Sequence, residues 1–170
     1  PAVPSDSQEL NYFIDNHFDV FKRARAVAEI ANSGYCIAVA GTHGKTTTTS
    51  LLAHILKNSG KKITAFMGGI SSNYDTNLIA GTGKEIVIEA DEYDKSFLNL
   101  KPNLAVLTSM DADHLDIYEN EQDIQKNFRA FMALVALDGI KIVNASLGLE
   151  GTTYSLDDNL EADYLGTEIR

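Results

Sequence analysis

The chain has 170 residues, of which 44% are hydrophobic and 22% charged, a composition typical of a folded globular protein. Its 24 acidic and 14 basic side chains give a net charge of -10, which argues against nucleic acid or an anionic membrane surface as a partner, because both are bound through Lys and Arg patches. No apolar stretch reaches the roughly 20 residues that a bilayer-spanning helix needs, so we expect no membrane insertion.

The N-terminal part of the chain is predicted to be a loop followed by one helix. Pro1–Glu9 is rich in Pro, Ser and Asp, which is typical of a loop or linker. Apolar side chains then recur at helical spacing, which predicts a helix over Asp19–Ser33. Asp19 is a suitable N-cap for this helix, and Gly34 a suitable stop.

From residue 35 onwards, short apolar runs alternate with helical stretches. The predicted strands are Tyr35–Ala40, Ile63–Met67, Glu85–Glu89, Leu104–Thr108 and Ile140–Asn144, with a short one near Thr152–Ser155, and the predicted helices are Thr46–Asn58 and Asp123–Leu137. Strands that are apolar throughout indicate a sheet covered on both faces. We therefore expect an α/β fold with a mostly parallel sheet flanked by helices.

The first predicted strand contains the single cysteine of the chain, Cys36. One cysteine cannot form an internal disulfide or a cysteine metal cluster. A small buried core side chain is the simplest interpretation, and it is consistent with a reducing cytoplasmic location.

The segment after the first strand is typical of a phosphate-binding loop. It reads Gly41-Thr42-His43-Gly44-Lys45-Thr46-Thr47 and runs directly into a predicted helix. The glycines permit close approach of the backbone, and N–H groups at a helix N-terminus bind anions. Lys45 is placed to reach the β- and γ-phosphates, and the Thr46 hydroxyl to bind Mg²⁺. The match is to the short form of the motif, G-x-x-G-K-T, which is less specific than the full form. A glycine-rich turn with a surface lysine is therefore the alternative.

Acidic residues follow the strand Glu85–Glu89, which ends in Glu89 itself. In open parallel sheets, ligands bind beyond the carboxyl ends of the strands, so Glu89 is expected at the same edge as the phosphate loop. A carboxylate there is suited to Mg²⁺. The next acids, Asp91, Glu92 and Asp94, also fit a solvated turn.

A histidine follows the next strand, Leu104–Thr108. His114 lies among carboxylates in the segment Asp111–Asp116, and the strand order brings it toward the same edge. It is a candidate metal ligand or phosphate-orienting group, with a purely structural histidine as the alternative.

With these residues in place, the sequence resembles the Mur ligases, the ATP-dependent enzymes that add amino acids to the peptidoglycan precursor. The resemblance rests on Gly41 to Thr49, Glu89 to Phe97, Asp113 to Asp116 and the pair Gly68-Gly69 with Ile70. It is strongest to the branch of the family that adds L-alanine to UDP-N-acetylmuramate.

The resemblance implies that a substrate carboxylate is activated by the ATP γ-phosphate as an acyl phosphate, which an amino group then attacks. Lys45, Glu89 and His114 would be the catalytic residues. Thr46 and Glu89 would bind one Mg²⁺, and Glu89 with His114 a second. Gly41 to Thr47 would hold ATP.

The resemblance also implies a division of the chain. Residues 1–34 would be the end of an N-terminal domain with a linker and a helix, and residues 35–170 a partial central ATP-binding domain of the P-loop type. We expect such a fragment to be unable to ligate on its own.

Three alternatives remain at this point. One is the peptidoglycan-recycling ligase that joins a tripeptide to UDP-N-acetylmuramate, whose motifs are very similar. The others are a plain nucleotide-binding ATPase or switch, and a non-enzymatic structural domain.

Overall fold

A computed structural model describes residues 3–111 and 120–167 of the chain. The helices are α1 (Gln8–Asp15), α2 (Arg23–Asn32), α3 (Lys45–Asn58) and α4 (Glu121–Ala133), and the strands are β1 (Tyr35–Ala40), β2 (Thr64–Ser71), β3 (Thr76–Ile79), β4 (Glu85–Glu89), β5 (Leu104–Leu107), β6 (Ile140–Asn144), β7 (Thr152–Ser155) and β8 (Tyr164–Leu165). Two 3₁₀ helices, Tyr93–Asn99 and Ala145–Leu147, follow β4 and β6.

The eight strands form one sheet in the order β3-β2-β4-β1-β5-β6-β7-β8. All neighbours are parallel except β2 and β3, which pair antiparallel. The predicted α/β class with a mostly parallel, helix-flanked sheet is therefore confirmed. The order β4-β1-β5 also places the carboxyl ends of these three strands side by side, with Val39 paired to Glu89 and Ala40 to Leu107.

The sheet has an apolar core on each face. On one face, Cys36, Ala38 and Ala40 of β1 pack with residues of α2, α4 and the first 3₁₀ helix. On the other, Ile37 packs with residues of α3, β2 and β4. This two-sided burial explains why β1 is apolar at every position instead of alternating.

The helix predictions near the N-terminus are wrong in part. Gln8–Asp15 is helical, capped by the Ser7 side chain, although residues up to Glu9 were expected to form a loop. The second helix begins at Arg23 instead of near Asp19, with Lys22 as its N-cap. Both errors arise because short helices depend on contacts and caps more than on apolar spacing.

Strand boundaries differ from the predictions by a few residues. β2 starts at Thr64 and continues through Gly68 and Gly69 to Ser71, because backbone pairing with β3 extends it past the apolar run. The strands β3 and β8 were not predicted. Within the described residues, no helix combines the length and the apolar character needed to cross a membrane.

Candidate functional site

The loop Gly41–Gly44 depends on two glycines with left-handed backbone conformations. Gly41 has a φ of 136° and Gly44 a φ of 81°, values that other residues adopt only with strain. A Cβ on Gly41 would also collide with the Thr108 hydroxyl and lie 2.9 Å from the backbone nitrogen of Ser109. These glycines let the chain turn sharply from β1 into α3.

The N-terminus of α3 has no side-chain cap. Its N-cap is Gly44, whereas α1 is capped by Ser7 and α4 by Asn120. The first N–H groups of any helix lack intrahelical acceptors, so those of Lys45, Thr46 and Thr47 are available to an external anion. Thr46 and Thr47 are exposed at this end of the helix.

The end of β5 fastens the loop in position. Ser109 Oγ accepts a hydrogen bond from the His43 N–H at 2.9 Å and lies 3.1 Å from the Thr42 hydroxyl. Thr108 Oγ1 lies 2.6 Å from the His43 carbonyl oxygen. Because the His43 N–H is already used, the anion-facing donors of this loop lie at the start of α3.

Lys45 turns back over the loop. Its ammonium group donates to the carbonyl oxygens of Gly41 at 2.7 Å and Thr42 at 3.2 Å. It also lies 2.9 Å from Glu92 Oε1, and the Lys45 and Glu92 side chains are 13% and 1% exposed. The charge of Lys45 is therefore held directly beside the bare N-terminus of α3.

The two predicted metal ligands that the structure describes are in direct contact. Thr46 Oγ1 donates to Glu89 Oε1 at 2.8 Å, and the Gly68 N–H donates to Glu89 Oε2 at 2.6 Å. A Cβ on Gly68 would collide with the Glu89 carboxylate, so glycine is needed there. Glu89 thus joins the carboxyl end of β4 to α3 and to β2.

This pair fits a hard cation. A hydroxyl and a carboxylate oxygen are ligands that Mg²⁺ accepts, and Mg²⁺ usually completes its octahedral shell with water and phosphate oxygens. No group of three or more His, Cys, Asp or Glu side chains suited to a metal occurs among residues 3–111 and 120–167.

Outcomes for the other candidate residues differ. Asp91 is exposed, but the solvated-turn alternative is wrong for Glu92, which is buried against Lys45. His114 lies outside the described residues. The sequence analysis did not identify the supporting roles of Thr108 and Ser109. The signal that could have indicated them is that both are polar and directly follow a buried strand beside the loop.

Comparison with known proteins decides the family. A family model described as Mur ligase middle domain matches residues 39–149, which include the phosphate loop, Glu89 and the end of β5. The chain belongs to the Mur ligase family.

Relatives within the family agree with this assignment. The chain is 48% identical over 170 residues to a UDP-N-acetylmuramate–L-alanine ligase from Christiangramia forsetii, covering 100% of this chain and 37% of that protein. A UDP-N-acetylmuramate–alanine ligase from Thermotoga maritima superimposes with a TM-score of 0.76 at 26% identity, covering 97% of this chain and 39% of that one. A murein peptide ligase from Psychrobacter arcticus also gives 0.76 at 26% identity, covering 99% and 42%.

The chain therefore spans well under half the length of the relatives it matches. The two solved structures come from ligases with different names and superimpose on this chain equally well. Similarity of fold does not separate these activities.

Proposed function

We propose that the chain is the ATP-binding part of a ligase that joins L-alanine to the carboxylate of UDP-N-acetylmuramate through an acyl phosphate, in peptidoglycan synthesis. The observation that carries the proposal is the contact of Thr46 with Glu89 beside the uncapped N-terminus of α3. Relatives at 48% and 50% identity that bear the name UDP-N-acetylmuramate–L-alanine ligase support alanine as the acceptor.

The site residues have different roles in the proposed reaction. The N–H groups at the start of α3 and the Lys45 ammonium would hold the ATP phosphates and offset charge on the transferred group, mainly by electrostatics. Thr46 and Glu89 would hold Mg²⁺, with His114 and Glu89 at a second ion. Bound Mg²⁺ would neutralise phosphate charge and orient the γ-phosphoryl group.

The chemistry then follows in two transfers. An oxygen of the UDP-N-acetylmuramate carboxylate attacks the γ-phosphorus, and the bond from this phosphorus to the β-phosphate oxygen breaks, releasing ADP. The amino nitrogen of L-alanine attacks the acyl carbon, inorganic phosphate leaves, and the nitrogen loses a proton to give the amide. Both sugar nucleotide and ATP are cytoplasmic substrates, so we propose a cytoplasmic location.

An isotope experiment tests this route in the whole protein. With ¹⁸O in the carboxylate of UDP-N-acetylmuramate, the released phosphate should carry ¹⁸O, and its release should require the sugar nucleotide. A plain ATPase or switch would release unlabelled phosphate without it. That second result would overturn the proposal.

Acceptor choice is tested by comparing L-alanine with the tripeptide under the same conditions. We expect amide formation with L-alanine and at most slow reaction with the tripeptide. The reverse preference would assign the recycling activity. Phosphate release by the 170-residue chain alone, given UDP-N-acetylmuramate, ATP and L-alanine, would contradict the expectation that it cannot ligate unaided.

Nucleotide binding is the direct test on the chain itself. An ATP analogue with Mg²⁺ should bind, and Lys45→Ala should abolish the binding measured by calorimetry. Unchanged affinity in Lys45→Ala would favour the non-enzymatic structural domain.

A further inference from the structure

The ammonium group of the phosphate-loop lysine already has an anionic partner. Lys45 Nζ lies 2.9 Å from Glu92 Oε1 and donates to the carbonyl oxygens of Gly41 and Thr42. An ammonium group has three hydrogens, so these three acceptors use all of them. A phosphate can bind Lys45 only by displacing one of the three.

Glu92 is the fixed member of this ion pair. It immediately precedes the 3₁₀ helix Tyr93–Asn99, in which Phe97 is 1% exposed and stacks on Phe131 at a centroid distance of 5.2 Å. This packing anchors the backbone of Glu92 against the core. Lys45, by contrast, carries its charge on a flexible four-carbon stem, so the lysine is the partner that can move.

Burial makes the ion pair important to the stability of the fold. The Glu92 side chain is 1% exposed, and a charge at such depth is costly unless it is paired. The loop carbonyls of Gly41 and Thr42 are neutral acceptors and do not balance the ammonium charge. Of the acceptors within hydrogen-bond distance of Lys45 Nζ, Glu92 is therefore the one that nucleotide phosphates are suited to replace.

We propose that Lys45 exchanges the Glu92 carboxylate for phosphate oxygens when nucleotide binds, which makes Glu92 a positioning residue that holds the lysine until nucleotide arrives. This inference rests on the nucleotide-binding function proposed above. Because Glu92 and phosphate compete for one donor, the ion pair lowers the apparent nucleotide affinity. It also favours release of ADP, since Lys45 regains a charged partner as the nucleotide leaves.

The substitution Glu92→Gln separates this role from simple support. Glutamine keeps the shape and an oxygen acceptor but removes the competing charge. We expect the dissociation constant for ADP to fall, on the order of tenfold, and ADP to dissociate more slowly. The melting temperature of the empty protein should fall as well, because Lys45 then lacks its charged partner.

Glu85→Gln is the matched control. Glu85 begins β4, the strand that precedes Glu92 in the chain, and pairs with Lys61 at 2.7 Å at the end of this strand away from the site. Removing this charge tests for a general effect of losing one acid or one Lys–Glu pair. We expect its affinity for ADP to equal that of the unsubstituted chain.

Calorimetry with ADP and Mg²⁺ on the three proteins tests the exchange. Tighter binding in Glu92→Gln only is the expected result. Equal or weaker binding in Glu92→Gln overturns the exchange while leaving the proposed function standing. Absence of nucleotide binding by the unsubstituted chain overturns both.

A structure of the unsubstituted chain with a non-hydrolysable ATP analogue gives a test that does not depend on a stable variant. We expect Lys45 Nζ to contact phosphate oxygens and to lie beyond hydrogen-bond distance of Glu92 Oε1. Persistence of the present 2.9 Å contact in the bound state would contradict the exchange.

Discussion

Thr46 Oγ1 donates a hydrogen bond to Glu89 Oε1 across 2.8 Å, although the two residues are 43 positions apart in the chain. Thr46 lies in the first turn of α3 on one face of the sheet, and Glu89 ends β4 beside β1. The second carboxylate oxygen accepts from the Gly68 N–H at 2.6 Å, which fixes the orientation of Glu89. The contact thus joins the phosphate loop to the neighbouring strand at the point where both face the proposed nucleotide.

We expect Glu89→Gln to lower the Mg²⁺-dependent affinity for an ATP analogue by about 10- to 100-fold, because the amide keeps the size of the side chain but loses the charge that attracts the cation and one of the two oxygens that accept hydrogen bonds from Thr46 and Gly68. Thr46→Val should act in the same direction through loss of the hydroxyl. Titration calorimetry with and without Mg²⁺ measures both effects. Thr152→Val on β7 is the control. If Glu89→Gln lowered the affinity equally with and without Mg²⁺, the assignment of Glu89 as a Mg²⁺ ligand would be refuted.

Gly41→Ala should destabilise the protein more than Gly60→Ala. Both glycines have positive φ, 136° and 90°, but a Cβ on Gly60 would meet nothing within 4 Å, whereas one on Gly41 collides with the Thr108 hydroxyl. We expect about 1–2 kcal/mol from backbone strain at Gly60 and a further 1–3 kcal/mol from the clash at Gly41. Urea denaturation measures the free energies of unfolding, and equal losses would contradict the clash.

Ser109→Ala should make the phosphate loop more mobile. The substitution leaves unchanged every side chain that is proposed to contact the nucleotide. It removes the acceptor of the His43 N–H and the partner of the Thr42 hydroxyl. The expected cost is about 1–2 kcal/mol of stability, with weaker nucleotide binding. Ser146→Ala at an exposed position is the comparison, and amide hydrogen exchange at His43 should rise only in the Ser109 variant.

Cys36 should resist thiol reagents in the native state. Burial raises the pKa of its thiol from 9.0 to about 12, so the reactive thiolate is scarce at pH 8–9. Alkylation should accelerate strongly when the chain is denatured, and native labelling at the denatured rate would contradict the burial.

The same shift has a consequence for alkaline stability. The folded pKa lies above the unfolded one, so the contribution is fully present below pH 9 and is lost as the pH rises from 9 toward 12, where the unfolded thiol ionises first. Cys36→Ala should flatten this alkaline fall in the free energy of unfolding, measured by urea denaturation at a series of pH values.

The strand–loop–helix unit from Tyr35 to Asn58 was predictable because its signals are local. An apolar run, two glycines and a lysine at a helix start occur within a short stretch, and each has its own physical reason. Local signals were insufficient for β3, a four-residue strand with two exposed positions, which forms because β2 offers it backbone partners. They also failed for α1, which has no buried residue and depends on the Ser7 cap.

The sequence by itself was enough to predict the fold class, the strand–glycine loop–helix unit and the position of Glu89 at the same edge of the sheet, because these follow from periodicity and from the geometry of parallel sheets. Only the tertiary structure decided that Glu92 is buried against Lys45, that Gly68 holds Glu89 and that Ser109 fastens the loop. Each of these contacts joins residues far apart in sequence. Their distances are set by strand register and by the packing of the helices, which no local pattern encodes.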